Sequence, residues 1–242
     1  MDFGHYAAGR GHDEPMELRD VLRTNGAVRE FTADPVDDRV VDDLLDDARF
    51  APSGGNRQGW TVILVRDPAV RRRIRDLSVL GWREYVAHVR AGVVPFSPGD
   101  DGQWHGPPVD LATARDTPAP APFVDELHLV PVLLVVTIDL RALAVTDIDL
   151  DRQSIVGGGS IYPFVHNILL AARDRDLGGV LTTFLCRQEP AARDVLALPD
   201  HVGIAAVLAL GHPAKRATKL SRKPVEEFTR VDRYDGDPLI VE

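Results

Sequence analysis

The sequence predicts one domain of mixed α and β structure, α+β or α/β, on three observations. Short β-branched runs alternate with segments of helical period along most of the chain. A length of 242 residues with 44% hydrophobic content is enough for one sizeable core. No internal repeat or low-complexity tract interrupts the alternation.

Met1 to Pro15 is polar and rich in glycine and histidine, and is expected to be an extension ahead of a domain spanning residues 16 to 242. Val40, Val41, Leu44, Leu45 and Ala48 recur at three- and four-residue spacing, which predicts an amphipathic helix from Asp37 to Phe50, with acids at its start and a stop at Pro52. Thr61 to Val65 is a β-branched run closed by Asp67-Pro68 and predicts a buried strand. Ala69 to Ala91 is helical, with Ile74, Leu77, Leu80 and Tyr85 on one side. From Gly92 to Pro122 the period gives way to prolines, glycines and aspartates, with Phe96, Trp104 and Phe123 in or beside the stretch. So long an irregular segment is a functional loop or a disordered one.

Val130 to Ile138 predicts the second strand. Ser160 to Arg175 predicts a helix capped by Ser160 with an early Pro163. Val180 to Phe184 is a short apolar stretch and Glu189 to Leu196 is helical. Val202 to Leu210 predicts a third strand, which ends at Gly211-His212-Pro213, and a polar tail runs from Ala214.

Charge and composition exclude several function classes. With 28 basic and 37 acidic residues the chain carries a net charge of -9, which supplies no broad basic surface for a phosphate backbone, so no nucleic-acid partner is expected and small molecules are. A single cysteine, Cys186, cannot form an intrachain disulfide and fits a reducing compartment, with the cytoplasm as the expectation. Leu127 to Ile138, the longest apolar run, is too short to span a bilayer, and the N-terminus shows no signal-like apolar region, so no membrane association is expected.

Three motifs lose to plainer readings. "DDLLDD" (Asp42 to Asp47) resembles a magnesium-holding acidic pattern, but it has no second acidic cluster to complete a cage and sits on the solvated face of a helix. "GGGSIY" (Gly157 to Tyr162) has Tyr162 where a nucleophile elbow needs its second glycine, and its glycines miss the dinucleotide spacing. Its glycines suit a flexible entry to the helix, or a place where bare backbone approaches a ligand. Eight histidines show no paired ligand spacing, so no protein-bound metal is expected.

The informative stretch is "FAPSGGNRQGW" (Phe50 to Trp60). Pro52 ends a helix, Gly54 and Gly55 let backbone amides approach a ligand, and Ser53, Asn56 and Gln58 add donors and acceptors suited to a flat heteroaromatic with polar edges. Taken alone it reads equally as a plain connection between helix and strand. Around it lie "RTNGAVREF" (Arg23 to Phe31), "LGGVLTTF" (Leu177 to Phe184), "LALGHP" (Leu208 to Pro213) and "SRKP" (Ser221 to Pro224). In this order and at these distances the set resembles the FMN-dependent nitroreductase family, from about Met16 to Phe228.

The resemblance implies an α+β homodimer with a central, mostly antiparallel sheet flanked by helices, and one FMN at each end of the subunit interface built by both subunits. It implies a cofactor site of Arg29, of Pro52, Ser53, Gly54, Asn56 and Gln58, of Leu181, Thr182 and Thr183, and of Arg222 and Lys223. Where the family often has two basic residues and a serine, this chain has Asn25, Gly26 and Ala27; Arg23 is either their substitute at the phosphate or a solvated helix end. It further implies NADH or NADPH as reductant, a small-molecule electron acceptor such as a nitroaromatic or quinone, and a ping-pong cycle with no dedicated catalytic side chain. A specialised biosynthetic or dehalogenating enzyme, or a flavin-sequestering protein, are the alternatives. Residues 92 to 122 are expected to form an active-site loop that leaves a slot over the flavin in an enzyme but plugs it with Trp104 or Phe96 in a sequestering protein. Residues 214 to 242 are expected to embrace the partner.

Overall fold

A computed structural model describes residues 16–217 and 219–241, so the expected extension at 1–15 lies outside the described residues. Four strands form one antiparallel sheet: β1 (Trp60–Leu64), β2 (Val132–Asp139), β3 (Gly178–Thr182) and β4 (Val202–Gly211), in the order β1-β2-β4-β3. The helices are α1 (Leu18–Thr24), α2 (Asp38–Ala48), α3 (Pro68–Arg90), α4 (Leu111–Asp116), α5 (Pro122–Asp125), α6 (Tyr162–Asp174), α7 (Glu189–Leu196) and α8 (Val225–Phe228).

The two central strands are apolar without interruption because both of their faces are covered. Leu134, Val136, Ala206 and Leu208 meet α2 and α6 through Val41, Leu44, Phe164 and Ile168 on one face. Leu133, Val135, Val207 and Ala209 meet α3 and α7 through Ile74, Leu77 and Ala192 on the other. The result is a three-layer domain with a core on each side of the sheet.

Caps follow the sequence at two of the long helices. Asp37 accepts the N–H of Arg39 at the head of α2, and Asp67 accepts those of Ala69 and Val70 at the head of α3, where Pro68 needs no partner. At α6 the expected Ser160 cap is replaced. A short 3₁₀ turn (Val156–Ser160) precedes the helix, Ile161 takes the cap position without a side-chain bond, and Pro163 removes one N–H that a cap would serve. The Ser160 hydroxyl instead accepts the N–H of Gly54 at 3.0 Å.

The segment 92–122 holds one short helix, α4, and runs up to a second, α5, both too short to show a period in sequence. It is pinned to α3 by a 2.8 Å hydrogen bond from Trp82 Nε1 to the Ala119 carbonyl. The tail beyond β4 leaves the domain: Leu220 packs over Gly26, but Phe228, Tyr234 and Ile240 are 65%, 100% and 74% exposed. No helix among the described residues is long and apolar enough to cross a membrane.

Candidate active site

Antiparallel pairing directs the start of β1 and the end of β3 toward the same end of the sheet: Trp60 is level with Ile138 and Gly203 there, and β3 runs toward that end as far as Thr182, which pairs with Val207 midway along β4. The two strands are the opposite edges of the sheet, three strand spacings or about 14 Å apart. Each edge carries part of the expected site.

At the β3 edge is a cavity of about 890 Å³ whose lining includes Leu181, Thr182, Thr183 and Arg29. Arg29 is brought there by its own backbone: the Val28 N–H donates to the Gly179 carbonyl and the Thr32 N–H to that of His212, each at 2.9 Å, so residues 27–32 ride along the sheet edge. The Arg29 side chain makes no hydrogen bond or ion pair among the described residues, leaving its charge free for a ligand.

Aromatic rings form the far wall. Trp82 and Tyr85 of α3 stack at 5.5 Å and both meet Phe184 edge-on, at 5.4 and 5.8 Å. Phe96 and Trp104 close in from the 92–122 segment, standing in the wall without filling the space. Cys186 also touches the cavity, but burial, reinforced by the charge of Glu189, pushes its thiol up to about 12, so it stays protonated and is no nucleophile.

Behind this wall lies a fully buried carboxylate, Glu84. It accepts from Arg115 Nε at 2.6 Å, Arg187 Nε at 2.9 Å and Gln188 Nε2 at 2.8 Å, tying α3 to the chain that follows β3 and to α4. Arg187 reaches back into the cavity, its guanidinium 4.6 Å from the centre of the Phe96 ring.

At the β1 edge, the amide loop is bonded mainly to itself. Ser53 Oγ accepts the Gln58 N–H at 3.0 Å, the Asn56 N–H donates to the Ser53 carbonyl at 2.8 Å, and Gln58 Nε2 donates to Asn56 Oδ1 at 3.1 Å. Asn56 and Gln58 hold left-handed backbone, φ 53° and 49°, which costs free energy and is retained where a surrounding structure or ligand enforces it. A β-carbon at Gly54 would lie 2.6 Å from that of Ala144, so only glycine fits.

Ala144 belongs to the loop between β2 and α6 that Asp147 staples together. The backbone N–H of Ile155, aided by Ser154 and Arg152 and opposed by burial, holds the Asp147 carboxyl well below the usual carboxylate range. A depressed folded-state pKa gives stability that is full above about pH 3.9 and is lost as pH falls through the folded value. Asp147→Asn is therefore expected to lower the melting temperature at pH 7, with the gap from wild type closing as the pH drops below about 4. A gap independent of pH between 7 and 2 would assign the effect to shape rather than charge.

The structure thus brings Arg29, Leu181, Thr182 and Thr183 together and sets Pro52, Ser53, Gly54, Asn56 and Gln58 on the other edge. Arg222 and Lys223 stand on the exposed tail, just past the Leu220–Gly26 contact, and Arg23 is exposed in the last turn of α1; none of the three lines the cavity. Sequence reasoning missed Trp82, Tyr85, Phe184, Arg187 and Glu84, which converge from distant segments.

Residues 23–212 match the nitroreductase family. The chain belongs to the nitroreductase family. Consistent with this oxidoreductase family, it is 30% identical over 232 residues to the nitrobenzene nitroreductase of Ectopseudomonas oleovorans, covering 88% of this chain and 95% of that one. It is 24% identical over 228 residues to iodotyrosine deiodinase 1 of Homo sapiens, covering 93% and 71% of the two chains. Its fold matches that of the NADPH:FMN oxidoreductase from Vibrio harveyi complexed with NAD+, with a TM-score of 0.61 at 18% identity over 90% of this chain and 77% of that one.

Proposed function

We propose that this nitroreductase-family protein is an FMN-dependent NAD(P)H:acceptor oxidoreductase that works as a homodimer. The observation that carries the reading is the open cavity: Phe96 and Trp104 stand in its wall and leave about 890 Å³ beside Arg29 and Thr183, room for a flat ring and for a second flat molecule. A sequestering protein would fill that space.

The residues present fit the cofactor. The free Arg29 guanidinium faces a cavity whose lining contains no carboxylate. Arg222 and Lys223 are exposed cations with donors suited to a phosphate. FMN, when bound, would supply two-electron hydride chemistry between NADH or NADPH and a nitroaromatic, quinone or other conjugated acceptor, in ping-pong order. Arg29 holds positive charge where electron density grows, and the aromatic wall orients the acceptor and excludes water.

The split of the site across two sheet edges supports the dimer, since a second copy can bring its Ser53–Gln58 loop to the first copy's Arg29 and Thr183. The tail with its exposed Phe228, Tyr234 and Ile240 is suited to lie on that partner. Its position on the partner, the role of 92–122 as an active-site loop and the remaining cofactor contacts belong to the same proposal.

Purified protein is expected to release FMN on denaturation, to bleach anaerobically with NADH or NADPH, and to recolour with a nitroarene or quinone. Protein that neither contains nor binds FMN would overturn the proposal; bound FMN that resists both nicotinamides would favour sequestration. Arg29→Met is expected to lower the two-electron potential of bound FMN by about 30 mV for each 1.4 kcal/mol of charge stabilisation removed. An unchanged potential in a variant that still binds FMN would remove Arg29 from the site.

A further inference from the structure

We propose that the acceptor is an aromatic molecule carrying a negative group, and that Arg187 is the residue that selects it; this rests on the cavity being the acceptor site. The sign of the cavity is the first reason. In a chain of net charge -9, its lining holds two arginines, Arg29 and Arg187, and no aspartate or glutamate. The carboxylate closest to Arg187 is Glu84 behind the wall, and it already faces Arg115 as well, so one negative charge is shared between two positive ones. A surplus positive charge is left at the cavity side.

The second reason is how Arg187 is held. Its Nε is committed to Glu84 at 2.9 Å, and its guanidinium carbon lies 4.6 Å from the centre of the Phe96 ring, which packs in turn on the buried His88 ring at 4.6 Å. Phe96 holds a φ of 56°, a left-handed conformation rare for so large a residue, so the surrounding contacts fix this ring against its backbone preference. The two Nη groups of Arg187 make no hydrogen bond among the described residues. A guanidinium fixed at Nε with its Nη end open is the two-pronged donor that a carboxylate fits.

The third reason is the neighbouring surface. Trp82 and Trp104 line the same cavity as Arg187, so an arene and its anionic substituent are recognised side by side. Arg29, which lines the cavity with Thr182 and Thr183, is left to the flavin.

The test compares p-nitrobenzoate with p-nitrobenzamide, which share the ring and nitro group and differ in charge, as acceptors for the FMN-loaded protein. In parallel, binding of unreactive benzoate and benzamide to the oxidised protein is followed by calorimetry. Wild type is expected to show KM and Kd at least about tenfold lower for the carboxylates, the scale of a charge-assisted contact. Arg187→Met is expected to abolish that difference while FMN content and the KM for NADPH stay unchanged. Arg115→Met, which leaves Arg187 in the cavity but turns the whole Glu84 charge onto it, is expected to narrow the difference without abolishing it.

Equal affinities in wild type would overturn the proposal without any variant. So would a preference that survives Arg187→Met or disappears equally in Arg115→Met, or a raised KM for NADPH in Arg187→Met, which would assign the arginine to the nicotinamide's phosphates. Should neither nitroarene be reduced while benzoate still binds tenfold more tightly than benzamide, the reductase reading fails and the anion site stands.

Discussion

Gly81→Ala is expected to destabilise the protein by about 2 kcal/mol and to deplete it of FMN, although alanine is the better helix former. At this point α3 presses on the chain that follows β3, and a β-carbon would sit 2.2 Å from the Phe184 carbonyl oxygen, 2.9 Å from its carbon and 3.1 Å from its Cα. These are backbone atoms and cannot swing aside as a side-chain end would. Forced overpacking costs about 3 kcal/mol, against about 1 kcal/mol gained from helix propensity, so the clash wins. For a chain of this size the melting temperature should fall by about 4–8 °C. The fold can relieve the clash only by lifting Phe184 away, and Phe184 braces both Trp82 and Tyr85 in the cavity wall. Gly159→Ala, where nothing lies within 4 Å, is the matched control and should change little. An unaltered melting temperature in Gly81→Ala would show that the two segments are not in close contact.

Glu84→Ala is expected to cost more, about 3 kcal/mol. Removing one partner of a buried ion pair costs about 3–5 kcal/mol because the remaining charge is stranded. Arg115 and Arg187 are 40% and 35% exposed, so water can reach them and the loss lies at the lower end. Three donors from three segments lose their acceptor together: Arg115 at α4, and Arg187 and Gln188 after β3. Chemical denaturation with a fixed m-value measures the loss directly. The Arg115→Met and Glu84→Ala effects should be less than additive, since both break one network.

The amide loop and the strand sequences are legible because their physics is local. Pro52, Gly54 and Gly55 announce their backbone needs in adjacent positions, and an uninterrupted run such as Val132–Asp139 announces a strand covered on both faces. The strand Gly178–Thr182 is not legible, because it begins with two glycines that read as a breaker when seen alone. The aromatic wall is illegible for the opposite reason: Trp82, Phe96, Trp104 and Phe184 come from segments with no shared spacing. On α3 the helical period points to Ile74, Leu77, Leu80 and Tyr85, yet the inward stripe continues through Ser78, Gly81, Glu84 and His88, all buried. A hydrophobic pattern cannot register a face whose burial is made good by partners more than a hundred residues away.

The division of the proposed site between the two edges of the sheet has a genetic consequence. In a dimer, each site would draw its amide loop from one chain and its Arg29 flank from the other. A loop-defective chain and an Arg29-defective chain, each inactive as a homodimer, would then complement each other when co-expressed. In the mixed dimer both lesions fall in one site and leave the second intact. Random assembly makes about half of the dimers mixed, so about a quarter of the wild-type sites return. Two alleles that both damage the same edge would restore none.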